Sequence, residues 1–218
     1  MRGNVRVRVD GTEVEVDPKS VLLDAIKKAG VPMHSFCQAG EIYRGASCRL
    51  CLVELPNGKL VPACAFPVSD GLEVRTRTAK TLRVRRSTLE LLLAYHRIEC
   101  WACMRKGDCV LVKMATDLRL DGIPVCAECP LHPEECLLSK GILCLGPLTL
   151  AGCDAECPTT SGRCWGCRGP VTREDIVVRA LKRYMELGFN IGEVVETAEI
   201  FWSAHPFLEK IKLVARGV

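Results

Sequence analysis

The sequence lacks the features of a secreted or membrane-spanning chain, and only 5% of its 218 residues are aromatic. The N-terminal stretch MRGNVRVRVDG alternates polar and apolar residues and has no apolar signal-peptide core. No apolar run approaches the roughly 20 residues of a membrane span. Catalytic motifs are also missing, because there is no GxGxxG, no P-loop and no Ser/His/Asp or Cys/His set outside the cysteine groups. We therefore expect a cytoplasmic protein with no membrane contact, no catalytic residues and no flavin or nicotinamide site of its own.

Cysteine is the residue in excess, with 15 in the chain. A chain of this length can bury a core without disulfides, and intracellular cysteines usually bind metal or react. The formal net charge of +4 counts every cysteine as a neutral thiol. Fifteen thiolates would add fifteen negative charges, and four iron–sulfur cores of about +2 each would add about eight positive ones. The net charge of a chain with such clusters would therefore be about −3. The basic composition therefore gives little support to a nucleic-acid partner, and we expect none.

Hydrophobic patterning predicts an α+β fold in four segments, 1–79, 80–120, 121–170 and 171–218. In the first segment it predicts a hairpin over 5–16, a helix capped by Ser20 and ended by Gly30, and strands over 49–55, 59–64 and 72–76. The second segment predicts helices over 81–96 and 110–118, with a solvated face formed by Arg83, Arg85 and Arg86. The third is a loop-rich cysteine region, and the last predicts two or three helices.

The first cysteine group comprises Cys37, Cys48, Cys51 and Cys64. Four thiolates suit one [2Fe–2S] cluster, one [4Fe–4S] cluster or a structural zinc ion, and spacing alone does not choose between them. The small residues at 45–47 suit backbone N–H groups that approach cluster sulfurs. A zinc ribbon would need two similar CxxC knuckles, whereas this group has one.

The stretch SFCQAGEIYRGASCRLCLVELPNGKLVPACAFPVSDGLEV resembles the [2Fe–2S] domain at the start of the large iron–sulfur subunit of respiratory NADH dehydrogenase. It also resembles the matching domain in the diaphorase part of NAD-linked hydrogenases. The resemblance implies a β-grasp ferredoxin domain over 1–79, whose four cysteines hold a [2Fe–2S] cluster.

The second group comprises one histidine and three cysteines, His96, Cys100, Cys103 and Cys109. This ligand set serves both zinc and iron–sulfur clusters, so the residue types leave the two about equally open. The stretch RRSTLELLLAYHRIECWACMRKGDCVL resembles, in its motif and in its distance from the first group, the short helical domain of the same dehydrogenase family that holds a [4Fe–4S] cluster. The resemblance implies that these four residues are its ligands. A neutral imidazole in place of a thiolate should make that cluster easier to reduce.

The third group holds eight cysteines, which is two complete [4Fe–4S] ligand sets; two zinc sites are the alternative. The runs CLGPLTLAGCDAECP and CWGCRGP resemble the C-terminal extension of group 3 [NiFe] hydrogenase small subunits, notably the delta subunit of sulfhydrogenases, which implies two cubane clusters. By analogy with two-cluster ferredoxins, we expect one cysteine of each motif to cross over. The expected sets are Cys126, Cys129, Cys136 with Cys167, and Cys144, Cys153, Cys157 with Cys164. Sequential filling is the alternative.

Together the resemblances imply an electron-transfer subunit with one [2Fe–2S] and three [4Fe–4S] clusters. Its expected partners are a flavin/NAD(P)-binding iron–sulfur subunit and a [NiFe] hydrogenase small subunit, and an electron-bifurcating complex is one such assembly. Two alternatives stay open: a subunit of an NAD-linked formate dehydrogenase or another NADH-dehydrogenase-like complex, and a zinc-scaffolded interaction protein. The apolar residues of the C-terminal helices either dock onto a partner or pack on the cluster domain.

Overall fold

The chain folds into two compact units, Met1–Tyr95 and His96–Val218. The computed structural model describes residues 3–39, 42–43, 45–120, 122–160 and 162–217. Both strands and helices are present, so the α+β class predicted from the sequence is confirmed. In the described ranges, no helix combines the length and apolar character needed to cross a bilayer.

The first unit is built on short strands. They are β1 (Val5–Val9), β2 (Thr12–Val16), β3 (Gln38–Ala39), β4 (Ile42–Tyr43), β5 (Leu52–Glu54), β6 (Leu60–Pro62) and β7 (Leu72–Val74). In the main sheet, β1 pairs antiparallel with β2 and parallel with β7. The predicted hairpin is confirmed: Asp10 and Gly11 both have positive φ, 48° and 89°, as a two-residue turn between twisted strands requires. The pairs β3–β4 and β5–β6 are separate antiparallel ladders.

Helix α1 (Leu22–Lys28) packs its apolar side onto this sheet. Leu22, Leu23 and Ile26 are buried in one core together with the valines of β1. The N-cap is Val21 rather than the predicted Ser20, because the Asp24 carboxylate accepts the Val21 N–H at 3.2 Å, while the Ser20 N–H closes a turn onto the preceding segment. At the other end, Gly30 has a φ of 74° and terminates the helix as predicted.

Helix α2 (Ala79–Tyr95) belongs to the first unit, although the sequence assigned it to the second segment. Its contact with β5 explains the difference. Arg85 is only 6% exposed and donates from Nε to the Leu52 carbonyl oxygen at 3.0 Å. The predicted solvated arginine face is therefore wrong for Arg85, while Arg83 and Arg86 are exposed.

The second unit consists of helices around a loop-rich centre. The helices are α3 (Val110–Asp117), α4 (Glu156–Thr159), α5 (Glu174–Glu186), α6 (Ile191–Trp202) and α7 (Phe207–Arg216). Single bridges Pro124↔Leu150 and Thr149↔Pro170 and three 3-10 turns, Val125–Ala127, Leu138–Lys140 and Gly146–Leu148, organise the loops between α3 and α5.

The three C-terminal helices pack on one another and on the cysteine-rich loops. Two buried side chains fix them there. The Tyr184 hydroxyl donates to the Cys144 carbonyl at 2.7 Å, and the Trp202 indole Nε1 donates to the Gly166 carbonyl at 2.6 Å. The tail is therefore part of the cysteine-rich unit, which is the second of the two alternatives stated for it. Exposed apolar side chains nevertheless remain on α6 and α7, namely Ile200, Phe201 and Leu213.

Candidate metal centres

The first four cysteines come together around the loop that follows β4. Backbone N–H groups donate to three of the sulfurs: Cys48 to Cys37 Sγ at 3.1 Å, Ala46 to Cys64 Sγ at 3.3 Å and Cys64 to Cys51 Sγ at 3.5 Å. Ala46 and Arg49 adopt φ of 64° and 54°, which turns the loop tightly about the sulfurs. The Ala46 N–H thus reaches a cysteine sulfur, while the approach of such groups to the bridging sulfides of a cluster stays a prediction.

Burial governs the electrostatics of this group. Cys51 is fully buried, and desolvation, together with the neighbouring thiols of Cys64 and Cys48, raises the pKa of its thiol to about 12. Without a cation the site therefore holds neutral thiols, whereas iron ligation requires thiolates. Cluster binding at this site must release protons, and the N–H donors then stabilise negative sulfur.

The second group lies in the turn that leads into α3. Burial, together with the neighbouring thiols of Cys103 and Cys109, raises the pKa of Cys100 to about 12, and Lys106 opposes the shift. The three thiols of this group therefore interact electrostatically. His96 directly follows α2, and its side chain is exposed. Its role as the fourth ligand stays a prediction.

Four cysteines of the third group line one cavity: Cys126, Cys129, Cys136 and Cys144. All four are buried. Desolvation raises the pKa of Cys126 and of Cys144, and in each case other thiols of the same set raise it further. Gly146 approaches the sulfurs closely, because a Cβ at this position would lie 3.1 Å from Cys126 Sγ and 3.6 Å from Cys144 Sγ.

The other four line a second cavity of about 440 Å³: Cys153, Cys157, Cys164 and Cys167. Burial raises the pKa of Cys164 to about 11. Trp165, Ile200 and Phe201 also line this cavity, and all three are exposed. The Arg163 guanidinium stacks 3.7 Å over the Trp165 ring.

The cavity linings favour sequential filling of the eight cysteines over the crossed partition. Cys144 lies with the three cysteines that precede it, and Cys167 with the three that precede it. The two sets are neighbours, because the Cys164 N–H donates to Cys144 Sγ at 3.3 Å. In the described ranges, no group of three or more His, Cys, Asp or Glu side chains is arranged to hold a metal ion.

Two family models match the chain. Residues 2–79 match a 2Fe-2S iron-sulfur cluster binding domain. Residues 2–79 are therefore a [2Fe–2S] cluster-binding domain. Residues 85–124, which include the second ligand group, match the NADH-ubiquinone oxidoreductase-G iron-sulfur binding region. The eight cysteines of the third group lie beyond both matched segments, so only the structure indicates how they are grouped.

Curated relatives match about half of this chain. The NADH-ubiquinone oxidoreductase 78 kDa subunit of Neurospora crassa mitochondria is 36% identical over 108 residues, which is 49% of this chain and 14% of the relative. An NADH-quinone oxidoreductase subunit of Rhizobium meliloti is 38% identical over 50% of this chain and 13% of its own. The NADP-reducing hydrogenase subunit HndD of Solidesulfovibrio fructosivorans is 36% identical over 50% of this chain and 20% of its own length. The matched part is thus a fifth or less of each relative.

A solved structure is also similar to the chain. It is the NAD+-reducing [NiFe]-hydrogenase in the H2-reduced state, with 33% identity and a TM-score of 0.49 over 53% of this chain and 49% of that one.

The thiol sets fit iron–sulfur clusters on three observations. Backbone N–H groups point at cysteine sulfurs, as outer hydrogen bonds to cluster ligands do. Gly146 leaves room that a Cβ would take beside two sulfurs. A buried lysine, Lys106, lines the Cys126 cavity without a hydrogen-bond partner among the described residues. The sequence predicted the cysteines but missed Lys106 and Gly146.

Proposed function

We propose that this chain is a non-catalytic electron-transfer subunit with one [2Fe–2S] and three [4Fe–4S] clusters. It relays electrons between a flavin/NAD(P)-binding iron–sulfur subunit and the small subunit of a [NiFe] hydrogenase. The observation that carries the proposal is that the fifteen cysteines form four separate sets, two of which lie within segments matched by iron–sulfur models. When bound, the clusters supply one-electron carriers.

Each cluster takes one ligand set. The [2Fe–2S] cluster takes Cys37, Cys48, Cys51 and Cys64. The first [4Fe–4S] cluster takes His96, Cys100, Cys103 and Cys109. The second takes Cys126, Cys129, Cys136 and Cys144, and the third takes Cys153, Cys157, Cys164 and Cys167, in line with the two cavities. The backbone N–H groups around these sulfurs stabilise thiolate and so favour the reduced clusters.

The partners follow from the kind of assembly in which the relatives occur. Their names are those of subunits of NADH-quinone oxidoreductase and of an NADP-reducing hydrogenase. The exposed Trp165, Ile200 and Phe201 surround the last thiol-lined cavity, so a partner that covers them would sit beside the terminal cluster. We assign the hydrogenase small subunit to this face, because the same segment carries the resemblance to hydrogenase small-subunit extensions.

Purification of the native complex without oxygen tests this function. The chain should carry about fourteen iron atoms and as many acid-labile sulfides, and it should co-purify with a flavoprotein and with nickel. A complex with formate dehydrogenase activity and no nickel would support the alternative partner. A colourless protein with zinc and no sulfide would refute the electron-transfer function. Reduction of NAD(P)+ and of a low-potential ferredoxin together, by H2, would indicate that the complex bifurcates electrons.

The ligand partition has its own test, a pair of double variants analysed for iron, sulfide and EPR signals. Under sequential filling, Cys126→Ala/Cys144→Ala removes two ligands from one cluster, so about four irons are lost and one EPR signal disappears. The matched pair Cys126→Ala/Cys167→Ala then removes one ligand from each of two clusters and alters two signals. If the first variant alters two signals and the second only one, the crossed partition is correct.

A further inference from the structure

One charged side chain is buried where a cluster would bind. Lys106 is 4% exposed, and its Nζ has no hydrogen-bond partner among the described residues. It lines the cavity of Cys126, Cys129, Cys136 and Cys144. A buried ammonium without a partner is strongly unfavourable, so its position indicates that a negative group belongs in the cavity.

Lys106 also lies within the loop that carries the neighbouring ligand group. It lies in the turn between Cys103 and Cys109, and its backbone N–H donates to the Cys103 carbonyl at 3.1 Å. Its charge acts on thiols of both sets, because it counteracts the burial that raises the pKa of Cys100 and of Cys126. The Cys100 thiol in turn contributes to the raised pKa of Cys126. The ammonium is thus within electrostatic reach of two adjacent sites.

The other cations of this region do not share this environment. Arg105 is exposed. The side chain of Lys113 is 54% exposed and pairs with the Asp108 carboxylate at 2.6 Å. Water screens such charges. A buried charge is screened much less, so Lys106 is the cation here that can shift the energy of an electron on a nearby cluster.

We infer that Lys106 is a fixed positive charge shared by two [4Fe–4S] clusters, raising the reduction potentials of both; this rests on the proposed function. A cubane core of about +2 has a net charge near −2 with the four thiolates of the Cys126 set and near −1 with three thiolates and His96, and reduction by one electron adds another negative charge to either cluster. The ammonium would stabilise that added charge, and its three N–H groups are donors that suit cluster sulfurs.

The test is an EPR-monitored redox titration of the full complex carrying Lys106→Met, Lys106→Arg or Lys113→Met. Methionine keeps the length of the side chain and removes the charge. In Lys106→Met, the equilibrium constant for reduction of the Cys126 cluster should fall at least about tenfold, which is 59 mV for one electron, and that of the Cys100 cluster should fall in the same direction. Lys106→Arg should stay near wild type, and so should Lys113→Met, the matched loss of an exposed charge. The signal that disappears in Cys126→Ala/Cys144→Ala identifies the cluster being read.

Each remaining outcome of this titration either supports or overturns the role inferred for Lys106. Unchanged potentials in a fully loaded Lys106→Met complex would overturn the inference. Loss of the Cys126 cluster in Lys106→Met but not in Lys106→Arg would support it, since the charge would then be needed to hold the cluster. Loss in both variants would overturn it, because the side chain would only fill space. A wild-type chain without iron–sulfur signals would instead refute the proposed function.

Discussion

Gly146→Ala should weaken the binding of one cluster. It should not destabilise the form of the protein that contains no clusters. The added Cβ would lie 3.1 Å from Cys126 Sγ and 3.6 Å from Cys144 Sγ. The backbone itself tolerates alanine, because Gly146 is not among the positive-φ residues. Its N–H, which donates to the Cys144 sulfur, is also unchanged. The substitution therefore alters only the space beside two sulfurs.

The magnitude follows from two opposing effects. Replacing glycine by alanine at a compatible position stabilises the fold by about 0.4–1 kcal/mol through the unfolded state. Crowding a packed site costs about 1–3 kcal/mol, but only when the sulfurs are held in place by iron, since free thiol side chains can rotate away. The gain through the unfolded state is common to the forms with and without clusters and cancels between them. The form with clusters should therefore lose about 1–3 kcal/mol relative to the form without them, which is roughly a 5- to 150-fold weaker retention of one cluster.

The assay is iron release from the whole loaded chain to a chelator, followed by absorbance, with thermal unfolding of the form without clusters as the second measurement. Gly217→Ala is the control, because its Cβ would meet only the Val214 carbonyl oxygen at an ordinary 3.7 Å. Faster loss of about four irons in Gly146→Ala alone is the expected result. Equal iron retention in the two variants would refute the reasoning, as would an equal loss of stability with and without clusters.

Three further changes test the surroundings of the sites. Tyr184→Phe removes the buried donor to the Cys144 carbonyl and should cost about 1–3 kcal/mol in urea unfolding; an unchanged midpoint would contradict the contact. Arg85→Met deprives the Leu52 carbonyl of its charged donor and should cost about 1.5–3 kcal/mol by the same measurement, with partial recovery in Arg85→Lys. In the form without clusters, burial raises the pKa of Cys51 from 9.0 to about 12, so the unfolded state ionises first and stability falls as pH rises through this window. Cys51 should contribute about 1 kcal/mol to the loss between pH 8 and pH 10, so Cys51→Ala should lose that much less than the wild type, and an equal loss in this variant would exclude the thiol as a source.

Local chemistry explains what the sequence could predict. The hairpin depends on alternating valines and on Asp10-Gly11, and these are short-range features. The helices that flank the second ligand group end within two residues of their predicted limits, because apolar periodicity and cysteine turns bound them. The ligand residues are likewise visible in the sequence, since cysteine spacing is a local property.

Tertiary contacts explain what the sequence could not predict. Arg85 and Lys106 belong to residue types that are nearly always exposed, and nothing nearby in the chain indicates that one meets a strand carbonyl and the other a thiol-lined cavity. The grouping of the eight cysteines depends on how the bridges Pro124↔Leu150 and Thr149↔Pro170 fold the loops. Spacing along a chain is compatible with either partition, whereas the cavities favour one.

The order of the thiol sets in the second unit bears directly on electron relay. The Cys100 thiol acts on Cys126, which lines the next cavity, and Cys144 of that cavity accepts a hydrogen bond from Cys164 of the last one. The middle set is therefore adjacent to both others. A buried ammonium lies beside the first two sets, and exposed apolar side chains surround the third. Such an arrangement suits one-electron steps between neighbouring carriers towards a partner, and a zinc scaffold would need neither this adjacency nor the buried charge.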